Sequence, residues 1–546
     1  MKNKFLIIFP VLLTVSITGC NNNNDAVDKR ALDKDLAILY TNDVHCAVGD
    51  DKTLGYSELS QFKKDLLAKD NYVTLADCGD AIQGAPIGTL SNGMYIADIT
   101  EEVGYDVAIP GNHEFDYGMD NFLTLAKNSS FPYVSCNFMD LKTNKTVFEP
   151  YIIKQYDDIK VAYLGITTPK TITSSFPKYF QDSDGNYIYG FAEDTKEHFY
   201  STIQDSVDSA HNAGADYVVA LDHLGIGIDA EPFMSTDVIA NTNGIDVVLD
   251  GHSHNVIECQ RVENKDEEKI LLSSTGTKFQ SFGLLYITKK GNISTGLIKE
   301  YSSKDDVTST YIDSIQAQYK DKLENKIAHT DYNLTIIDPE TNNRMVRQRE
   351  TNIGDLCVDA FKNYMDSDIA IMNSGGVRDS IPVGDITYGQ IINVMPFNNT
   401  YCEVSVKGDV IYKMLEMSCR LLPEEFGGFL QVSGITFEYD LNIPSPVIVS
   451  SKSIFESIDG EARVKNIKVN GQGLDENKAY KLASTSYILK SCGDGYSMFD
   501  GATILHGDDV LDNQVLIDYI QKDLNGTISN KYENVYGNNR IINVTK

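Results

Sequence analysis

Short apolar runs recur along the first half of the chain: LAILYT, NYVTLA, DVAI, VAYLGI, YVVAL and DVVLD. They are rich in aliphatic and β-branched residues and carry almost no polar face, which predicts strands buried on both sides. Stretches of helical spacing, such as SELSQFKKDLLAK and TIQDSVDSAHNAGA, lie between several of them. Buried strands separated by helices imply a layered α/β domain over about residues 35 to 300. In the segment that follows, Ile312, Ile315, Tyr319, Leu323 and Ile327 share one helical stripe, which predicts an inter-domain helix. From about Asp338 the pattern changes to helices such as IGDLCVDAFKNYM, short strands such as DIAIMN, and glycine-rich turns, an α+β region. At 546 residues the chain exceeds a single hydrophobic core, in keeping with two domains.

Five of the six predicted strands of the first region end in a polar cluster. Asn42-Asp43-Val44-His45 follows LAILYT, and Asp77-Cys78-Gly79-Asp80 follows VTLA. Gly111-Asn112-His113-Glu114 follows DVAIP, Asp222-His223 follows YVVAL, and Gly251-His252-Ser253-His254 follows DVVLD. Ligand sites of open α/β sheets collect at the carboxyl ends of strands. Asp43 and His45 are two apart, as are His252 and His254; in an extended segment such pairs face the same side. Five of the nine histidines lie in these clusters. One cluster alone reads equally well as a solvated loop, but five at successive strand ends do not. Imidazole mixed with carboxylate suits zinc, manganese, iron or cobalt better than an all-oxygen magnesium cage.

Net charge changes the picture of the substrate. At −31 the chain repels nucleic acid and anionic membrane surface, and it has no basic track for a polynucleotide. An anionic substrate therefore needs local cations. In the second region Arg347, Arg349 and Arg378 supply guanidinium groups, Phe397 and Tyr487 flat aromatic faces, and Asn373 and Asp494 polar acceptors. Each of these alone has an ordinary structural reading as a surface ion pair, a core ring or a turn.

The set NDVH, DCGDAIQG, GNHEFDYG, DHLG and DGHSH closely resembles the calcineurin-like metallophosphoesterases, and the GNHEFD form with NSGGVR and GDGY resembles the 5′-nucleotidase family within them. The resemblance implies a four-layer α/β/β/α catalytic domain at 35–305, a linker helix at 306–337 and an α+β substrate-binding domain at 338–546. It implies two divalent metal ions, with zinc, manganese or cobalt foremost. One ion takes Asp43, His45 and His254, the other Asn112, His223 and His252, and Asp80 bridges them. His113 sits beside the phosphoryl group, oriented by Asp116. In the second domain the matching positions for substrate are Arg347, Asn373, Arg378, Phe397, Tyr487 and Asp494. The family commonly has Ser or Thr where Asp222 stands, and the stretch from Tyr487 to Asp494 is one residue longer than usual. The implied activity is hydrolysis of nucleoside 5′-monophosphates; the same machinery also serves 2′,3′-cyclic nucleotides or UDP-sugars. A reading from another class is a surface lipoprotein that only binds nucleotide.

The N-terminus carries its own signal. Lys2 and Lys4 precede an apolar run from Phe5 to Ile17, closed by ITGC. This is the pattern of a cleaved leader and resembles a bacterial lipoprotein signal at 1–20, with Cys20 lipidated and 21–34 a polar tether. It predicts an exported, lipid-anchored protein of the cell envelope. The other eight cysteines show no paired spacing, and most read as small core residues.

Overall fold

The computed structural model describes residues 32–50, 53–192, 194–227, 230–450 and 452–545. The expected leader, Cys20 and most of the tether lie outside them. Among the described residues no helix is long and apolar enough to cross a membrane.

Two sheets stack in the first domain. One has the order Ile293–Ile298, Phe282–Ile287, Leu36–Thr41, Tyr72–Asp77, Val107–Ala108, with the last three parallel. The other has the order Val256–Glu263, Lys269–Thr275, Val247–Leu249, Tyr217–His223, Ile159–Thr167, Tyr151–Tyr156; its four central strands are parallel and its edges antiparallel. Leu36, Ile38 and Tyr40 from the first sheet meet Val161, Tyr163, Val219 and Leu249 from the second in a common core. The alternate residues Ala37, Leu39 and Leu75 face outward onto helices Tyr56–Ala68 and Met94–Val103. Val218, Ala220 and Val248 face helix Lys196–Asn212 on the opposite side. The result is a four-layer α/β/β/α sandwich. Because each sheet is covered on both faces, its strands read as unbroken apolar runs.

The linker differs from its expected form. Helix Asp306–Ala317 ends early, and Lys320–Leu323 adds one further turn. Ile312 and Ile315 pack into the outer core of the first domain, so this helix belongs to that domain. Ile327 sits on strand Lys326–Thr330, which pairs with Gly384–Thr387 of the second domain. Strand pairing with a partner far along the chain outweighs the helical stripe, a competition no local pattern displays.

The second domain centres on a sheet ordered Leu430–Ser433, Ile369–Asn373, Ala479–Thr485, Thr400–Lys407, Thr503–Leu511. Helices Asn352–Tyr364 and Asp512–Asp518 cover one face, and Gly408–Ser418 covers the other. Asn373 closes its strand, Phe397 lies in the loop entering Thr400–Lys407, and Tyr487 opens the helix after Ala479–Thr485. The polar ends of these strands face the first domain across a cleft. Thr89 donates to the Pro396 carbonyl at 2.9 Å, and Tyr487 donates to the Thr173 carbonyl at 2.6 Å, one link at each flank.

Candidate metal centre and substrate cleft

The parallel strands of both sheets end at the same edge of the sandwich, and there the five polar clusters meet. Asp43 and His45 are fully buried, and Asp80 and Asn112 nearly so. His254 Nε2 lies 3.0 Å from His45 Nε2 and 3.4 Å from Asp43 Oδ1. His223 Nε2 lies 3.1 Å from Asp80 Oδ2, and His252 Nδ1 lies 2.8 Å from Asn112 Oδ1. Asp80 Oδ2 is also 3.9 Å from His45 Nε2, so this carboxylate stands between the two halves of the cluster.

The local backbone is not extended as the sequence suggests. Asp43, His45, Asp80, His252 and His254 all have positive φ, between 48° and 74°. The strands stop at Thr41, Asp77 and Leu249, and the chain turns left-handed to aim each pair inward. Such conformations cost on the order of 1–3 kcal/mol each and persist where the surroundings over-determine them. Two glycines allow the loops to meet. A Cβ on Gly111 would stand 2.3 Å from Asp80 Oδ1, and one on Gly79 would stand 2.6 Å from the Gly111 nitrogen.

These residues fit divalent ions. His45 Nδ1 donates to the Gln83 carbonyl and His223 Nδ1 to the Cys78 carbonyl, which turns each Nε2 inward. His223 Nε2 is buried and faces the Asp80 carboxylate at 3.1 Å. Burial and neighbouring positive groups hold His45, His252 and His254 well below the usual imidazole range, so they present bare nitrogen. Burial, with Asp80 close by, pushes the Asp43 carboxyl up to about 7. Against burial, Asp80 and Asp43 raise His223 to about 10. A dry cluster of imidazoles and crowded carboxyl groups is costly without cations.

His113 stands directly beside this cluster: its backbone N–H donates to Asp80 Oδ1 at 2.8 Å, and its ring lies 5.2 Å from that of His45. Its Nδ1 is 2.5 Å from Asp116 Oδ2, and Ser175 donates to the other Asp116 oxygen at 2.8 Å. Burial opposes its proton, but Asp116 and Asp80 overcome burial and raise its pKa. Glu114 has a structural part: it accepts N–H groups from Asp80, Ala81 and Gly111 at 2.7–2.8 Å and so ties two site loops together. Glu114→Ala strands those donors and is expected to cost the first domain about 3 kcal/mol of stability, measured by urea unfolding; an unchanged midpoint overturns the clamp.

The strand-end cluster opens into a cavity of about 570 Å³ between the domains, lined also by Arg347, Asn373, Arg378, Phe397, Tyr487 and Asp494. Arg349, the other choice of register, is exposed and stacks on Tyr536 at 4.2 Å, away from the cavity. Asn373 donates to Asp494 at 2.8 Å. Phe397 lies 5.5 Å from the His113 ring, with the Arg378 guanidinium 5.7 Å from its centroid. Tyr487 differs from a free stacking platform. It is only 8% exposed, packs over Gly493, and its hydroxyl accepts the Asp494 N–H at 3.0 Å while donating to Thr173.

Sequence reasoning missed Arg344, Arg420, Glu425 and Phe426, which also line the cavity. Arg344 stands three residues before Arg347, a weak signal; EEFGG carries no motif. Asp222, beside His223, points both carboxylate oxygens into the interior without a hydrogen bond, and burial and Asp250 raise its pKa well above the carboxylate range. The eight described cysteines are all free, and six are buried, Cys46 and Cys78 among them.

A four-layer sandwich with this strand-end cluster, facing a second α+β domain, defines a two-domain metallophosphoesterase. The calcineurin-like phosphoesterase family matches residues 36–256, and the 5′-nucleotidase C-terminal domain matches residues 326–501. The chain belongs to the 5′-nucleotidase family, whose members are metal-dependent phosphoester hydrolases. It is 28% identical to the trifunctional nucleotide phosphoesterase protein YfkN of Bacillus subtilis over 91% of its own length, but spans only 34% of that longer protein. It is 25% identical to the 5′-nucleotidase of Vibrio parahaemolyticus, with 95% of each chain covered. In fold it is similar to the 5′-nucleotidase precursor of Thermus thermophilus, with a TM-score of 0.76 at 24% identity, covering 93% of this chain and 99% of that one.

Proposed function

We propose that this chain hydrolyses nucleoside 5′-monophosphates to nucleoside and phosphate. The observation that carries the reading is the shared cavity, in which the strand-end cluster of one domain faces Arg347, Arg378, Phe397 and the Asn373–Asp494 pair of the other. The curated relatives named as 5′-nucleotidases support the substrate class.

Asp43, His45 and His254 would hold one divalent ion, Asn112, His223 and His252 the other, with Asp80 shared. Ions bound there supply charge neutralisation at phosphorus and lower the pKa of water. The chain's own groups do the rest. Arg347 and Arg378 neutralise phosphoryl oxygens. Asp116 fixes the His113 tautomer, so that Nε2 faces the cleft and holds a proton beside the departing 5′ oxygen. Asp494, positioned by Asn373 and by the Tyr487 hydroxyl, accepts from the ribose hydroxyls. Phe397 lies where a base can stack. The N-terminal pattern supports export and a lipid anchor at Cys20.

Turnover of AMP, the cyclic AMP isomers and UDP-glucose by the metal-loaded protein tests the reading. AMP is expected to be cleaved best. Strict rejection of AMP, or no phosphate release with manganese, zinc or cobalt, overturns it in favour of the cyclic-nucleotide, UDP-sugar or binding-protein alternatives.

A further inference from the structure

Arg344 and Glu425, 81 residues apart in the chain, meet on the wall of the cavity. The Arg344 Nε donates to Glu425 Oε2 at 2.8 Å, and its terminal nitrogen closes on the same oxygen. Both side chains remain about 30% exposed to the cleft. The pair lies close to the reacting centre. Arg344, Arg347, Arg378 and His254 line the same cavity. Arg344 is thus a cation sharing the wall with those that would hold the phosphoryl group, and its charge is already matched by a carboxylate.

Resting on the nucleotidase reading above, we infer that Glu425 is a specificity residue that sets the phosphate count, restricting the cleft to monophosphoryl esters by keeping Arg344 from a second phosphate. A guanidinium next to one bound phosphate is the natural anchor for another. A diphosphate substrate can use Arg344 only by displacing Glu425, and its added negative charge then faces an unpaired carboxylate. A monophosphate does neither. The discrimination comes from a repulsive element built into the wall, a common route to specificity. Glu424 lines the same wall and adds to the repulsion.

The test uses the full metal-loaded chain with p-nitrophenyl phosphate as reporter. Inorganic phosphate and methylenediphosphonate, a diphosphate analogue that resists cleavage, compete as inhibitors. Glu425→Gln is expected to tighten methylenediphosphonate about tenfold more than phosphate, and to raise the ADP-to-AMP ratio of kcat/KM by a similar factor. Adding Arg344→Gln is expected to erase the gain, because the freed guanidinium is its source. Equal effects on both anions, or a gain that survives without Arg344, overturn the inference. If AMP is refused while the inhibitor ratio still shifts, the nucleotide reading fails and this one stands. If AMP is cleaved and the ratio stays fixed, the reverse holds.

Discussion

His113→Ala lowers kcat for a nucleoside monophosphate by about 10²- to 10⁴-fold, the range for losing one positioned proton donor, while metal content stays near two ions per chain. The expectation follows from position. His113 faces the cavity beside His45 and Asp80, and its Nδ1 is engaged by Asp116, so seven other groups remain to hold the ions when it is removed. Asp116→Asn is expected to reproduce part of the loss, because an amide can present its N–H to Nδ1 and select the wrong tautomer. The two variants are checked by single-turnover kinetics beside metal analysis. Full turnover in His113→Ala, or loss of metal in proportion to activity, removes His113 from its proposed role.

Stripping the protein of divalent ions produces the second large effect. Turnover is expected to vanish and the thermal midpoint of the first domain to fall. An ion at a thousandfold excess over its Kd stabilises by about 4 kcal/mol, which for a domain of this size is about 10 °C. The physical cause is the packing of Asp43 and Asp80 among buried imidazoles at 3–4 Å, with Glu114 and Asp77 close behind. Without cations burial and the nearby Asp80 push Asp43 and Glu114 up to about 7, so protons take the place of the ions there. Scanning calorimetry before and after chelation, with manganese, zinc or cobalt added back, measures the shift. A midpoint and a rate that ignore complete metal removal contradict the assignment.

Much of the site is legible in the sequence because two signals coincide at each cluster. An apolar run such as DVVLD marks a buried strand, and GHSH directly after it must be compensated by something other than core packing. The backbone form of those clusters is not legible. Asp43 and His45 read as an extended pair, yet both sit in the left-handed region, because Thr41 is the last residue with a strand partner. The linker misleads for a related reason: Ile327 continues a helical stripe, but its β-bridged neighbours at Gly384–Thr387 lie far along the chain.

The alternation of buried strands and helices in the first domain, the chemical identity of the donors and their place at strand ends were determined by sequence alone. They depend on local alternation and on residue type, which a linear pattern carries in full. The tertiary structure decided the rest. It put Arg347 on the cavity wall and Arg349 against Tyr536, tied the Tyr487 hydroxyl to Thr173, and set Glu425 against Arg344. Each of these is a distance of a few ångströms between groups that packing, and not chain connectivity, brings together.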